Sequence, residues 1–370
     1  MPAISIMMKP ASGLCNMCCD YCFYTDETSK REICSYGIMS LTTLEQILQK
    51  ALAFAEGSCS VLFQGGEPTL AGLDFFKSVV ELEQKWNINH VNIQNSIQTN
   101  GFLIDERWAE FFHDHDFLVG LSLDGIKDVH DACRKDKNQK GTFDKVLHTI
   151  ELFKKHQVEF NILTVVTKHT TLHTKEIYSF YKDMGFEWQQ YIPCLNPLGE
   201  HDTNYDYSLS SKDYSIFLRD LFDCWYEEAK SGHLRYVRYF IGLMNLLCRR
   251  APGACEMNGV CSRQFVIEAD GSVFPCDFYM LDQWLLGNLT TDSIEAIERK
   301  REELHFIEES THMNSSCKSC KWVYLCRGGC RRDRITLENG LLGKNRHCAS
   351  FHEFFEYAYP KLVEIINLYS

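Results

Sequence analysis

The sequence predicts an α/β protein in which an open, partial barrel of six βα units is followed by a small cysteine-rich domain. Three observations predict it. Short β-rich runs alternate with helical runs up to about residue 230. The character of the chain then changes near His233, and cysteines crowd two places, four within residues 15–22 and eight from Cys255 to Cys348. Strands alternating with helices read as βαβ units on a parallel sheet. Six such units are too few for a closed eight-stranded barrel, hence the open form.

The strands are expected at Ile4–Lys9, Ser60–Gln64, Val91–Gln98, Leu118–Leu123, Phe160–Val166 and Trp188–Ile192. Each is a short run dense in β-branched and aromatic residues. Helical patterns lie between them at Leu41–Ala55, Leu73–Lys85, Asp105–His113, Phe143–His156 and Thr171–Met184, with a further helix over Ser211–Lys230. In such folds chemistry gathers at the C-terminal ends of the strands. The Cys15–Cys22 loop and the Gly65–Pro68 turn both fall there.

Beyond His233, QFVIEADGSVFPC reads as a hairpin turned at Asp270-Gly271. The loops that follow are short and dense in cysteine, which suits a region stapled by metal rather than by a core of its own. An aromatic helical stretch from Phe351 closes the chain. The expected division is residues 1–232 and 233–370.

Composition narrows the function. With 45% hydrophobic residues the chain is globular. Its 38 basic and 50 acidic residues give a net charge of -12, which argues against a nucleic-acid partner because that needs a basic footprint. No apolar run is long enough for a membrane span, and MPAISIMMKPASG lacks the features of a secretory leader, so a cytoplasmic protein is expected. In that setting 18 cysteines point to metal or redox chemistry.

Cys15, Cys19 and Cys22 form C-x3-C-x2-C. Three thiolates hold three irons of a 4Fe–4S cluster and leave the fourth iron open. Zinc is the competing reading, with Cys18 as a fourth ligand, although structural zinc prefers paired C-x2-C spacing. The motif does not stand alone. Tyr21 precedes its last cysteine, and Gly65-Gly66-Glu67-Pro68 follows the second strand, where glycine lets the backbone approach a ligand.

This combination resembles the radical S-adenosylmethionine (SAM) superfamily, which implies a partial, TIM-like (β/α)6 barrel and reductive cleavage of SAM. The resemblance assigns the cluster to Cys15, Cys19 and Cys22. It assigns SAM contacts to Tyr21 and Gly66, and at further strand ends to Ser122, Arg134 and Leu195. Glu67 is read as structural and Cys18 as a bystander.

The second cysteine group reads Cys255-x5-Cys261-x9-Gly271-x4-Cys276, then Cys317-x2-Cys320-x5-Cys326-x3-Cys330, then Cys348. Eight thiolates suit two four-thiolate clusters, with zinc ribbons as the alternative. The pattern is similar to the SPASM extension of radical SAM enzymes that modify peptides and proteins. That likeness implies one cluster on Cys255, Cys261, Cys276 and Cys330, and another on Cys317, Cys320, Cys326 and Cys348. Interleaving of this kind has precedent in two-cluster ferredoxins. The basic run Arg327–Arg334 is read as cationic side chains near anionic clusters. Cys34, Cys59, Cys133, Cys194, Cys224 and Cys248 match no ligand spacing, so small buried hydrophobes are expected there.

Across nearly its whole length, through KPASGLCN, YCFY, FQGGEPTLAG, QTNG and FPCDFY, the chain resembles the anaerobic sulfatase-maturating enzymes. That family converts a cysteine or serine in a Cys/Ser-x-Pro-x-Arg segment of a sulfatase to Cα-formylglycine. The resemblance implies three 4Fe–4S clusters, SAM, an unfolded or nascent sulfatase as substrate, and a reducing donor such as flavodoxin or ferredoxin. It makes Asp277, directly after Cys276, the base. Two alternatives remain at this point. One is a SPASM enzyme that forms thioether or carbon–carbon crosslinks, many of which carry an N-terminal clasping domain for which residues 1–14 leave no room. The other is a non-catalytic iron–sulfur electron carrier.

Overall fold

A computed structural model of the chain describes residues 3–200, 204–337 and 340–369. They form two compact units. The first takes in Met1–Ser122, Arg134–Phe160 and Arg263–Phe306, and the second Leu123–Cys133, Asn161–Ser262 and Ile307–Ser370.

In the first unit the strands are β1 (Ile4–Met8), β2 (Ser58–Phe63), β3 (Asn92–Thr99) and β4 (Leu118–Ser122), paired in parallel in chain order. The register of β1 on β2 runs from Ile4 opposite Cys59 to Met8 opposite Phe63. Helices return the chain between strands, and their starts are written locally. Ser40 Oγ accepts from Thr43 N–H at 3.0 Å to open the helix Leu41–Phe54. Asp105 Oδ1 accepts from Trp108 N–H at 3.1 Å to open Glu106–Asp114. Each cap satisfies an otherwise orphaned donor of the first turn. Phe63, Phe76, Phe112 and Phe117 fill the space between sheet and helices, with Phe63 and Phe76 rings 5.0 Å apart. Burying each such ring contributes about 1.5–3 kcal/mol.

The hairpin read at Asp270-Gly271 is present as β8 (Phe265–Ile267) against β9 (Ser272–Phe274), after β5 (Phe160–Val166), β6 (Trp188–Pro193) and β7 (Tyr236–Val237) in chain order. Gly271 takes φ +93°, a value that favours glycine at the turn. The hairpin is not held by metal alone, as its loop-rich surroundings suggested. It joins the first unit's sheet, because β8 lies parallel to β1 with Ile6 opposite Phe265 and Met8 opposite Ile267. With β10 (Gly287–Asn288) the order in this unit is β10-β9-β8-β1-β2-β3-β4. Pairing β1 with a strand from far along the chain brings Asp277 to the ends of β1 and β2.

In the second unit β5, β6 and β7 pair in parallel. The helix expected at Thr171–Met184 is two helices, Lys168–Leu172 and Thr174–Asp183. The Thr167/Thr170 capping box opens the first, and His173, at φ -126°, separates them. The helix Ser211–Lys230 packs against Arg238–Leu247 and the closing helix Cys348–Leu368. Phe222 lies at their centre, 5.2 Å from the Phe240 ring and 5.5 Å from that of Phe354. Arg334–Thr336 and Leu342–Asn345 (β11 and β12) form a small antiparallel pair.

Candidate active site

The residues singled out in the first unit gather at the C-terminal ends of β1–β4. Cys15, Cys19 and Cys22 sit on one loop after β1, each half-buried. Cys22 N–H donates to Cys19 C=O at 3.1 Å, and Cys22 is the residue from which the helix Phe23–Thr28 starts. Burial pushes the Cys15 thiol up to about 11, with the charges of Glu67 and Cys22 nearby adding to it and the Met17 N–H opposing. A thiol that resists ionisation alone is deprotonated outright when it coordinates a metal, so this donor set fits an iron–sulfur cluster. Cys18 is exposed, and its N–H is tied to Lys135 C=O at 2.8 Å.

Gly66 shows why the turn after β2 is glycine-rich. Its N–H donates to Ser12 C=O at 2.9 Å, and the next N–H, that of Glu67, donates to Leu14 C=O at 2.8 Å. A Cβ on Gly66 would stand 2.0 Å from Leu14 O. The turn is therefore pressed against the backbone that leads into the cysteine loop. Glu67 is 1% exposed, and burial raises its carboxyl above the usual range. It accepts from Thr69 N–H, Thr69 Oγ1, Thr99 Oγ1 and Asn100 N–H, at 2.7–3.0 Å. That arrangement locks the Gly65–Pro68 turn to the end of β3. Asn100 in turn donates to Asn16 Oδ1 at 2.8 Å and lies 3.8 Å from Cys15 Sγ.

Tyr21 and Arg134, remote in sequence, come together, with the guanidinium carbon 5.5 Å from the centre of the ring. Arg134 is buried. Ser122 closes β4, and its Oγ accepts from Gln98 Nε2 at 3.1 Å. Leu195 follows β6 in the second unit, where its carbonyl accepts the Cys194 S–H at 3.6 Å.

Asp277 is 7% exposed. Its Oδ1 pairs with Lys9 Nζ and its Oδ2 accepts from Gln64 Nε2 at 2.9 Å. Lys9 and Gln64 each lie one residue past the end of a strand, β1 and β2. Beside them Tyr24 donates to Glu268 Oε2 at 2.9 Å, and Arg31 donates to the same oxygen at 2.7 Å. Sequence reasoning did not single out Lys9, Gln64 or Asn100. Their places in the KPASGLCN, FQGGEPTLAG and QTNG segments were the available signal.

In the second unit Cys317, Cys320, Cys326 and Cys348 line one cavity of about 290 Å³, together with Trp322, Phe351 and Phe355. Burial lifts Cys326 to about 11, and the other three thiols add to it electrostatically. Four thiols around one small cavity are a donor set for a fully ligated cluster. Cys330 is raised further by burial, with Asp333, Cys261 and Cys255 beside it. Ser262 Oγ donates to Cys255 Sγ at 3.3 Å. Cys276 lies in the first unit, two residues past the end of β9.

The basic run serves the loops themselves. Arg334 donates to the carbonyls of Ser310 at 2.7 Å, Gly329 at 3.0 Å and both Gly328 and His312 at 3.1 Å. Of the six remaining cysteines, Cys59, Cys133 and Cys194 are buried as expected and Cys224 is half-buried. Cys34 and Cys248 are exposed, a correction to the expectation that all six are buried. Among the described residues no helix is long and apolar enough to cross a membrane.

Comparison with known proteins agrees with this geometry. The family model of the radical SAM superfamily matches residues 10–181, and that of the SPASM iron–sulfur cluster-binding domain matches residues 255–321. A cysteine-type anaerobic sulfatase-maturating enzyme of Clostridium perfringens is 48% identical over 99% of this chain and 99% of the relative. One of Clostridium novyi is 44% identical over 99% and 98%. A serine-type enzyme of Bacteroides thetaiotaomicron is 29% identical over 96% and 89%. The solved structure of native anSMEcpe with bound AdoMet and Kp18Cys peptide superposes with a TM-score of 0.94 at 48% identity, covering 99% of each chain. The chain belongs to the anaerobic sulfatase-maturating enzymes, SPASM-containing members of the radical SAM superfamily.

Proposed function

We infer that this protein oxidises an active-site cysteine of a sulfatase to Cα-formylglycine, using iron–sulfur clusters and SAM. Cysteine is the proposed substrate over serine, because the relatives of cysteine type share far more of its sequence than those of serine type. The observation that carries the reading is the placement of Asp277. A buried, hydrogen-bonded carboxylate stands at the ends of β1 and β2, in the same unit as the Cys15–Cys22 loop.

The division of the site follows the family resemblance. Cys15, Cys19 and Cys22 are proposed to hold the cluster whose open iron takes SAM, and Tyr21, Gly66, Ser122, Arg134 and Leu195 to contact SAM. When bound, this pair supplies the radical that removes a Cβ hydrogen, a bond too strong and too weakly acidic for any side-chain base. The substrate cysteine must also lose its thiol proton and one electron, which the proposed auxiliary clusters would accept, to become a thioaldehyde; water then converts it to the aldehyde with release of hydrogen sulfide. Asp277 is proposed to accept that proton. A positioned carboxylate is suited to this when it lies within hydrogen-bond reach.

Two further clusters are proposed, one on Cys317, Cys320, Cys326 and Cys348, the other on Cys255, Cys261, Cys276 and Cys330. In this reading residues 1–232 form the SAM-cleaving domain and 233–370 the auxiliary-cluster domain. A flavodoxin or ferredoxin in the cytoplasm is proposed as the reductant. The test is anaerobic incubation with SAM, reductant and paired Cys-x-Pro-x-Arg and Ser-x-Pro-x-Arg peptides, read by mass spectrometry. Formylglycine from the cysteine peptide at several times the serine rate supports the reading. Deoxyadenosine without any aldehyde product defeats it.

A further inference from the structure

We propose that Lys9 is a positioning residue of this reaction, whose buried ammonium fixes the Asp277 carboxylate at the ends of β1 and β2. The proposal rests on the reading of Asp277 as the base.

Lys9 has no solvent exposure. Lysine is almost never fully buried without a partner, because an uncompensated ammonium in an apolar interior is costly. Here the partner is Asp277 Oδ1. The rest of the side chain is gripped along its length. Lys9 N–H donates to Ile267 C=O at 2.8 Å, which anchors the backbone to β8. The stem passes Gly65, where an added Cβ would lie 3.0 Å from Lys9 Cδ. The ammonium sits 4.7 Å from the centre of the Tyr24 ring, whose face attracts a cation.

Such a grip gives Lys9 a fixed Nζ, and through it a fixed carboxylate. The terminal torsion of an aspartate is broad, so nothing local holds its oxygens in one plane. With Oδ1 on Lys9 and Oδ2 on Gln64, the plane of the Asp277 carboxylate is set by β1 and β2. General-base catalysis needs that: a base acts within about 2.6–3.2 Å of the heavy atom whose proton it takes. Chain connectivity adds a second reason. Lys9 precedes Cys15 by six residues, so one strand end registers both the base and the cysteine loop. A buried salt bridge is weak evidence of a stabilising role, because hydrophobic pairs of similar volume often replace such pairs without loss.

Lys9→Met, which keeps length and removes charge, is the first test. The reconstituted variant, given SAM, reductant and the Cys-x-Pro-x-Arg peptide, is expected to form formylglycine about 10²-fold or more slowly, within the span of a positioned base. Deoxyadenosine released per formylglycine should rise by a similar factor, a partition that general destabilisation does not change. Because Lys9 acts through Asp277, Lys9→Met added to Asp277→Asn should cost nothing further. A partition ratio within threefold of the parent, or a double variant reduced by the product of the two single effects, overturns the proposal. Asp277→Asn alone is the separate control. If that variant forms formylglycine normally, the reading of the base has failed and the role of Lys9, which rests on it, falls with it; a normal Lys9→Met beside an impaired Asp277→Asn overturns the Lys9 proposal alone. Should Lys9→Met fail to bind iron, Lys9→Ala decides. Recovery of formylglycine with n-propylammonium but not with n-propanol supports the proposal, and equal recovery with both, or with neither, overturns it.

Discussion

Replacing Gly66 by alanine tests the close approach of the GGEP turn to the cysteine loop. The added methyl would begin 2.0 Å from Leu14 O and 2.6 Å from Leu14 C, both backbone atoms. An ordinary contact is 3.4 Å or more, so the turn must retreat by roughly 1.4 Å. Unlike Gly65, at φ +132°, Gly66 is not among the positive-φ residues, so steric exclusion is the whole effect. The retreat breaks two backbone hydrogen bonds, Gly66 N–H to Ser12 C=O and Glu67 N–H to Leu14 C=O. At about 0.5–1.5 kcal/mol each, with a further penalty for any group left buried and unpaired, the loss is about 2–4 kcal/mol. Misplacement by an ångström near a reacting group also costs about 10²-fold in rate. Gly66→Ala is therefore expected to lower the unfolding midpoint and to slow deoxyadenosine formation about 10²-fold, measured by chromatography under saturating reductant. An alanine variant that cleaves SAM within threefold of the parent would falsify the reasoning, since the turn would then not need its contact with Leu14.

Replacing Cys15, Cys19 and Cys22 together by alanine should abolish deoxyadenosine while leaving the other clusters assembled; Cys18→Ala, at an exposed position, should change the rate less than threefold. Reconstituted protein should hold about twelve irons, and Cys317→Ala with Cys320→Ala should remove about four of them. Stoichiometric zinc with iron near four per chain would sink the two-auxiliary-cluster assignment. Glu83 offers a pH test away from the clusters. Burial raises its carboxyl from about 4.5 to about 7, against one hydrogen bond from Asn95 at 2.8 Å. A raised carboxyl contributes stability that is complete below about 4.5 and is lost as pH climbs through about 7. Glu83→Gln should match the parent at pH 4.5 and exceed it by about 2–3 kcal/mol at pH 8 in denaturant unfolding. Equal stability at both pH values would show that Glu83 titrates normally.

The strands and helices of the first part were legible because each has its own local signal: β-branched runs, and serine or aspartate caps such as Ser40 and Asp105. The break at His173 was not, because the Thr167/Thr170 capping box and the continuing helical pattern compete over the same residues. The pairing of β8 with β1 leaves no local trace, since it depends on residues far apart in the chain. The same is true within the site. Cysteine spacing and the GGEP turn carry their chemistry in a few adjacent residues. Tyr21 and Arg134 meet only through the fold. Nothing local marks Lys9, since a lysine at a strand end is ordinarily solvated. What makes it unusual, burial against Gly65 and Tyr24, exists only once the sheet has formed.

The parallel pairing of β1 with β8 also constrains how the protein can be made. Lys9 and Asp277 are separated by 268 positions, so at 5–20 residues per second a ribosome needs roughly 13–54 s between them. Until Phe265–Ile267 is made, late in that interval, the edge of β1 at Ile6–Met8 has no strand to pair with. An unpaired apolar edge is a template for association with other chains. Nascent chains should therefore depend on chaperones until the hairpin emerges, and fragments that stop before Phe265 should aggregate rather than fold into a smaller SAM-cleaving enzyme.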